Sequence, residues 1–251
     1  MSLMISISTV MLLMGLLLGF VGAGGSGFMI AILTVGFGYP IHAAMGTALA
    51  AMMFTSLSGA ISHYRERNLD MVSGLLVGLT GAAASWFGSG IAFSIDPAVM
   101  RWCTAAMLAL SGLVLWLRLT VMAGIMPVPI APRRARYMAL AVTIGLTTGF
   151  LSGTFGIGST PFIQVGLMLL LGLPMRLAAG TTMLVILPIA AAAGGGYFYA
   201  GSLDPVLLAA VLAGTMTGSY IGAKFTKRAP ALLLQTGMVA TPIAAACLIV
   251  L

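Results

Sequence analysis

GAGGSGFMI, residues 22–30, interrupts an apolar run near the start of the chain, and GIGSTPFIQ, residues 156–164, interrupts another in the second half. Glycines and hydroxyl residues at that density end a helix rather than continue it, so the fold turns on which solvent surrounds the interruption. Composition decides this: of 251 residues, 61% are hydrophobic and 6% charged, with a mean hydropathy of +1.16. A soluble domain of this length needs a polar exterior that such a chain cannot supply. Apolar stretches of about 18–25 residues recur throughout, each long enough to cross a hydrocarbon core of about 30 Å as a helix. The alternation of a transmembrane β-barrel is missing. The expected fold class is therefore all-α, a polytopic membrane helix bundle. The run from Leu3 to Phe20 has no basic residue before it and shares its glycine pattern with a later run, so it is expected to stay as a span rather than to be removed as a signal peptide.

Displacing the sequence by 134 residues lays one interruption on the other without a gap. Gly15, Gly19, Gly22 and Gly24 fall on Gly149, Gly153, Gly156 and Gly158; Phe28 falls on Phe162; Gly38 and Pro40 fall on Gly172 and Pro174. Ala44-Met45-Gly46-Thr47 meets Ala178-Ala179-Gly180-Thr181, and Leu69-Asp70 meets Leu203-Asp204. A register held over roughly 55 residues that includes the rare Asp describes a tandem repeat. Each copy contains an apolar run (3–22, 137–154), the break, a short apolar run (26–37, 160–173) and three full spans (41–63, 69–92 and 98–118; 175–199, 203–223 and 230–251). Residues 1–119 make the first membrane repeat and 137–251 the second. Residues 120–136, with three prolines and three arginines between Met126 and Arg136, make a cytoplasmic basic linker. Asp70 and Asp204, at the starts of spans, suit N-caps. Single pairs such as Gly74-xxx-Gly78 and Gly214-xxx-Gly218 suit close helix packing, and Cys103 and Cys247, inside apolar runs with no companion ligands, suit packing too.

The basic residues choose between two topologies. If each broken segment is one crossing, the eleven Lys and Arg divide almost evenly between the sides. If the break turns the chain back as a hairpin, Arg65, Arg67, Arg118, Arg133, Arg134, Arg136, Arg176, Lys224, Lys227 and Arg228 share one side and only Arg101 lies opposite. The positive-inside rule selects the hairpin. The two repeats are then inverted relative to each other, each a Gly-broken hairpin plus three full spans, with both termini outside.

Irregular backbone at membrane depth is tolerated only where protein buries it or a watery cavity meets it. The short helix after each break starts inside the membrane, so its unpaired N–H groups and positive dipole end favour an anion. Gly22, Gly24, Gly25 and Ser26 are expected to form one half of an oxyanion site and Gly156, Gly158, Ser159 and Thr160 the other, with Pro161 suited to the first helical turn. Span centres contain no Asp or Glu, which argues against a carboxylate proton relay. His42 and Arg176 occupy equivalent places beside the Gly-x-Pro turns, one at each mouth, as gating or anion-attracting groups or as interfacial residues reaching for headgroups. His63, Tyr64, Arg65 and Arg67 read as a cytoplasmic boundary.

GAGGSGFMIAIL followed by GYPIHAAMGTALAAMMFTSLSGA resembles the signature of the sulfite exporter TauE/SafE family of permeases: a glycine break, a short apolar run and a helix start bearing Thr or Ser. The resemblance covers both halves. It implies a permease for sulfite, thiosulfate, sulfoacetate or other organosulfonates in the bacterial inner membrane, with the small anion and the bilayer as partners, a proton or another ion as coupling partner, and no cofactor. It also adds Thr47, Thr181 and Thr182, at the family's Thr-Ser position, to the expected contacts. Ser26, Ser159 and Thr160 replace glycines of the family motif, and Ala31 and Val165 stand where the family often has Pro. An anion channel on the same scaffold is the alternative. Gly24-Gly25-Ser26-Gly27 also fits an intramembrane serine protease motif, but only His42 and His63 are available as its base and the second copy lacks it. The net charge of +7 is topological and implies no nucleic acid.

Overall fold

A computed structural model describes residues 2–21, 25–120, 134–226 and 231–250. Among these every regular element is a helix: α1 (Ser2–Val21), α2 (Ser26–Ala31, prolonged by a π-helical stretch, Ile32–Gly36), α3 (Ile41–Arg65), α4 (Met71–Ala92), α5 (Pro97–Thr120), α6 (Arg134–Phe155), α7 (Thr160–Leu169), α8 (Met175–Tyr199), α9 (Pro205–Thr226) and α10 (Ala231–Val250). Six of them, α3, α4, α5, α6, α8 and α9, are long and apolar enough to cross a membrane. The protein is an all-α, multi-pass membrane protein. Gly22, Gly24, Arg133, Lys227, Arg228 and most of the linker lie outside the described residues.

Helix starts follow local chemistry. Asp70 Oδ1 accepts from the Val72 N–H at 3.2 Å, and Asp204 Oδ1 from the Val206 N–H at 2.8 Å, as N-caps of α4 and α9. Asp96 Oδ1 does the same for Ala98 at the start of α5. Pro40 and Pro174 enter α3 and α8 with nearly identical backbone angles, each following a turn through Gly38 or Gly172. Ser73 hydrogen-bonds both Asp70 and the Tyr137 hydroxyl, tying α4 to α6.

Glycines set the closest helix contacts. Gly15 of α1 lies against the Thr215 backbone of α9, and Gly149 of α6 lies against the Gly81 backbone of α4. Displacement by 134 residues turns one pair into the other. Gly74 and Gly78 pack on Leu184 and Pro188, and Gly214 and Gly218 on residues of α1, as small-xxx-small patterns should.

The same contacts give the helix directions. Gly46 meets Tyr197 and Gly59 meets Met183, so α3 and α8 run antiparallel. Gly74, Gly78 and Gly81 meet successively later residues of α8, so α4 and α8 run parallel, as do α4 and α6. On the other side, α1 runs parallel to α9. Since α9 reverses α8, α1 and α3 point the same way, and the chain between them turns back through α2. The described basic residues Arg65, Arg67, Arg118, Arg136, Arg176 and Lys224 thereby fall at one end of the bundle and Arg101 at the other.

Two apolar clusters fill the interior. One gathers Met45, Leu49, Met100 and Tyr197 with residues of α1, α2, α9 and α10; the other gathers Ile144, Ile163, Leu167, Ile186 and Ile189 with Met52 and Val77. The breaks lie between them, with Ile157 in the first cluster and Ile163 in the second.

Candidate functional site

The second break is a run of left-handed backbone. Gly156, Gly158 and Ser159 have φ of 72°, 62° and 48°, conformations that L side chains rarely adopt. Gly156 N–H still donates to Ser152 O at 2.9 Å, and Ile163 N–H to Ser159 O at 3.0 Å, so the irregular part is confined to the turn itself. Pro161 occupies the first turn of α7. At the first break, Gly25 precedes α2 and its carbonyl accepts from Met29 N–H at 3.1 Å.

The two breaks meet. A β-carbon built on Gly158 would lie 3.3 Å from Ser26 Oγ and would collide with the Met52 side chain; one on Gly156 would lie 2.8 Å from Met45 Cγ. Ser26, Thr47 and Ser159 are each no more than 1% exposed, and their hydroxyls have no hydrogen-bond partner among the described residues. The Thr160 hydroxyl, next in the chain to Ser159, also lacks a partner among the described residues, as do those of Thr34, Ser152 and Thr154. Other buried hydroxyls donate to the preceding helical turn, as Thr182 does to Ala178 O and Thr215 to Val211 O, both at 2.7 Å, or to a neighbouring helix, as Ser85 does to Ile189 O at 3.1 Å. Ser26, Ser159 and Thr160 stand at helix starts, so their unpaired hydroxyls lie where the breaks face each other.

A cavity of about 420 Å³ opens from this region toward the basic end of the bundle. Gly25, Ile157 and Thr160 line it at the breaks, and His63, Arg118, Gln164 and Arg176, with the hydroxyl residues Ser111, Thr182 and Thr241, line it elsewhere. Arg118 Nη1 donates to Gln164 Oε1 at 2.5 Å. Arg118 Nε and His63 Nδ1 are buried with no partner among the described residues.

The expected site residues therefore divide. Gly25, Ser26, Gly156, Gly158, Ser159 and Thr160 gather around the meeting point, Thr47 is buried in α3 one residue after Gly46, which packs on Tyr197, and Gly25, Thr160, Thr182 and Arg176 reach the cavity. Thr181 Oγ1 instead accepts from Asp70 N–H at 3.0 Å, fastening α8 to the start of α4, whereas its counterpart Thr47 has no partner. His42 Nε2 donates to Ala92 O at 3.0 Å and its ring stacks on Phe93, away from the cavity. Gly22 and Gly24 lie outside the described residues. Arg118 and Gln164 were not expected. Arg118 had counted only as a charge that reports topology. Gln164 carried a signal that could have found it, since it is an amide in an otherwise apolar helix and its counterpart in the first copy is Ile30.

Comparison with known proteins places the chain in a family of membrane transporters. The family model described as Sulfite exporter TauE/SafE matches residues 7–249. The chain is 48% identical over 240 residues to "Probable membrane transporter protein YdhB" of Bacillus subtilis (strain 168), covering 96% of this chain and 97% of that protein. It is 27% identical to "Probable membrane transporter protein YjnA" of the same organism over 89% of this chain and 91% of that one. A "Probable membrane transporter protein MJ0441" of Methanocaldococcus jannaschii is also 27% identical, over 59% and 57% of the two chains. No solved structure matches. With a broken-helix pair in each half and a family match across almost its whole length, the chain belongs to the sulfite exporter TauE/SafE family.

Proposed function

We propose that this protein is a secondary transporter, not an enzyme, that moves small sulfur-containing anions such as sulfite, thiosulfate, sulfoacetate or other organosulfonates by alternating access. The observation that carries the reading is the meeting of Gly158 and Ser26, which brings both breaks and their unpaired hydroxyls to one point. Two half-sites from two copies, one on each side of a shared ligand, are what rocking of one repeat against the other requires. The antiparallel run of the counterpart helices α3 and α8 supports an inverted repeat. The gathering of basic residues at the cavity end supports a cytoplasmic opening, with both termini on the periplasmic side of the inner membrane. The substrate class follows from the family. A proton or another ion is the coupling partner, and it does not move on a carboxylate relay, because Asp70, Asp96 and Asp204 cap helices and Glu66 accepts from Asn68.

Reconstitution tests this. Proteoliposomes should take up labelled sulfite faster when unlabelled sulfite is present inside, since a carrier returns loaded. Uptake indifferent to internal anion would favour the channel, and a protein that moves neither sulfite, thiosulfate, sulfoacetate nor another organosulfonate would refute the reading.

A further inference from the structure

Arg118, at the end of α5, is 8% exposed. The four acidic residues of the chain are engaged elsewhere: three cap helices, and Glu66 accepts from Asn68. A guanidinium this deep in a membrane protein carries a large desolvation penalty unless a counter-charge faces it. Gln164 offers only a dipole. By accepting from Nη1 at 2.5 Å it fixes the guanidinium plane, and Nε, buried and unpartnered, is left with its neighbour Nη2 as a fork. That edge of arginine matches two oxygens on one centre. His63 Nδ1 and Thr160 Oγ1, also unpartnered, line the same cavity from α3 and α7.

We propose that Arg118, oriented by Gln164, anchors one small oxyanion with at least two oxygens on a single centre, in the cavity on the cytoplasmic side of the breaks. The inference rests on reading the chain as an anion carrier and adds a loading position to it, separate from the hydroxyls at the breaks. Gln164 acts as a positioning residue. Its counterpart is Ile30, so the position exists on one side only. A phospholipid phosphate offers the same chemistry, and the solute is the occupant claimed here.

Calorimetric titration of the purified full-length protein with sodium sulfite, and separately with methanesulfonate, at constant sodium chloride, tests the anchor. Arg118→Gln should weaken binding at least tenfold, Arg118→Lys less because the charge remains without the fork, and Gln164→Leu several-fold. In anion-free buffer Arg118→Gln should melt at a higher temperature than the wild type, because an uncompensated buried charge is gone. Hydrogen exchange on the wild type keeps the test independent of variant folding: sulfite should slow exchange at the end of α5. Sulfite affinity unchanged in folded Arg118→Gln, or no protection of α5 by sulfite, would overturn the anchor while leaving the carrier reading intact. Protection of α5 by phosphatidylglycerol micelles but not by sulfite would assign the position to lipid and overturn it as a solute site. A wild type that neither binds nor transports these anions would overturn both readings.

Discussion

The Tyr197 hydroxyl donates to the Gly153 carbonyl oxygen across 3.1 Å, whereas His63, which occupies the same place 134 residues earlier, has a buried Nδ1 with no partner and lines the cavity. The surroundings repeat even though the hydrogen bond does not. A β-carbon on Gly46 would fall 2.8 Å from Tyr197 Cβ, and one on Gly180, the counterpart of Gly46, would fall 3.0 Å from His63 Cβ. One copy is latched at its end of the bundle and the other is open at its own.

If the Tyr197 latch holds the outer end shut, Tyr197→Phe should shift the population toward outward opening. A neutral buried hydrogen bond is worth about 0.5–1.5 kcal/mol, a factor of about two to ten in that equilibrium. In a background lacking Cys103 and Cys247, a cysteine at Met45, behind Tyr197, should become several-fold more reactive toward an impermeant maleimide added outside. An unchanged rate would leave Tyr197 as a packing residue.

The helix directions imply that the α8–α9 loop and the α3–α4 loop lie on opposite faces. A single cysteine replacing Ser202 should be labelled from the periplasmic side of intact cells, and one replacing Glu66 should be labelled only after permeabilisation. Labelling of both in intact cells would contradict the hairpin topology, and with it the inversion of the repeats.

Thr47 and Thr181 are counterparts with different circumstances, and they should respond differently to valine. Thr181→Val removes the acceptor of the Asp70 N–H and leaves that donor unsatisfied at a helix joint, a loss of about 1–3 kcal/mol in stability with little change in anion affinity. Thr47→Val removes a hydroxyl that has no partner, so stability should hold or rise while anion affinity falls several-fold. Melting temperatures and sulfite titrations on the two variants check this. The opposite pattern would move Thr47 out of the site.

Glycine, proline and aspartate made much of this architecture legible. The Gly38-x-Pro40 and Gly172-x-Pro174 turns, the Asp70 and Asp204 caps and the spans α3, α4, α5, α8 and α9 could be read because each rests on local backbone chemistry that the residue itself imposes, whereas α6, expected as a hairpin arm, is itself long enough to cross a membrane. The short run after the first break was legible as an apolar segment but not as a helix that loosens into a π-helical stretch over Ile32–Gly36. The cavity was the least legible part. Arg118 and Gln164 are 46 positions apart on different helices, and a lone arginine at the end of a span looks the same in sequence whether it faces headgroups or folds back into a cavity. His42 shows the converse: it reads as a mouth residue, yet an Ala92 carbonyl and the Phe93 ring account for it.

The central claim is that the two breaks form one anion site, and Gly158 tests it most directly. Its φ of 62° penalises any β-carbon, and the space that carbon would take is shared with Met52 and Ser26. Thermal unfolding of purified protein with and without sulfite is the measurement. At about a hundred times its dissociation constant, bound sulfite should add about 2.7 kcal/mol to the wild type, Ser26→Ala should keep most of that gain, and folded Gly158→Val should lose most of it, keeping only what the Arg118 position holds. Equal stabilisation of wild type and Gly158→Val by sulfite would contradict the account and leave the breaks as helix-packing devices.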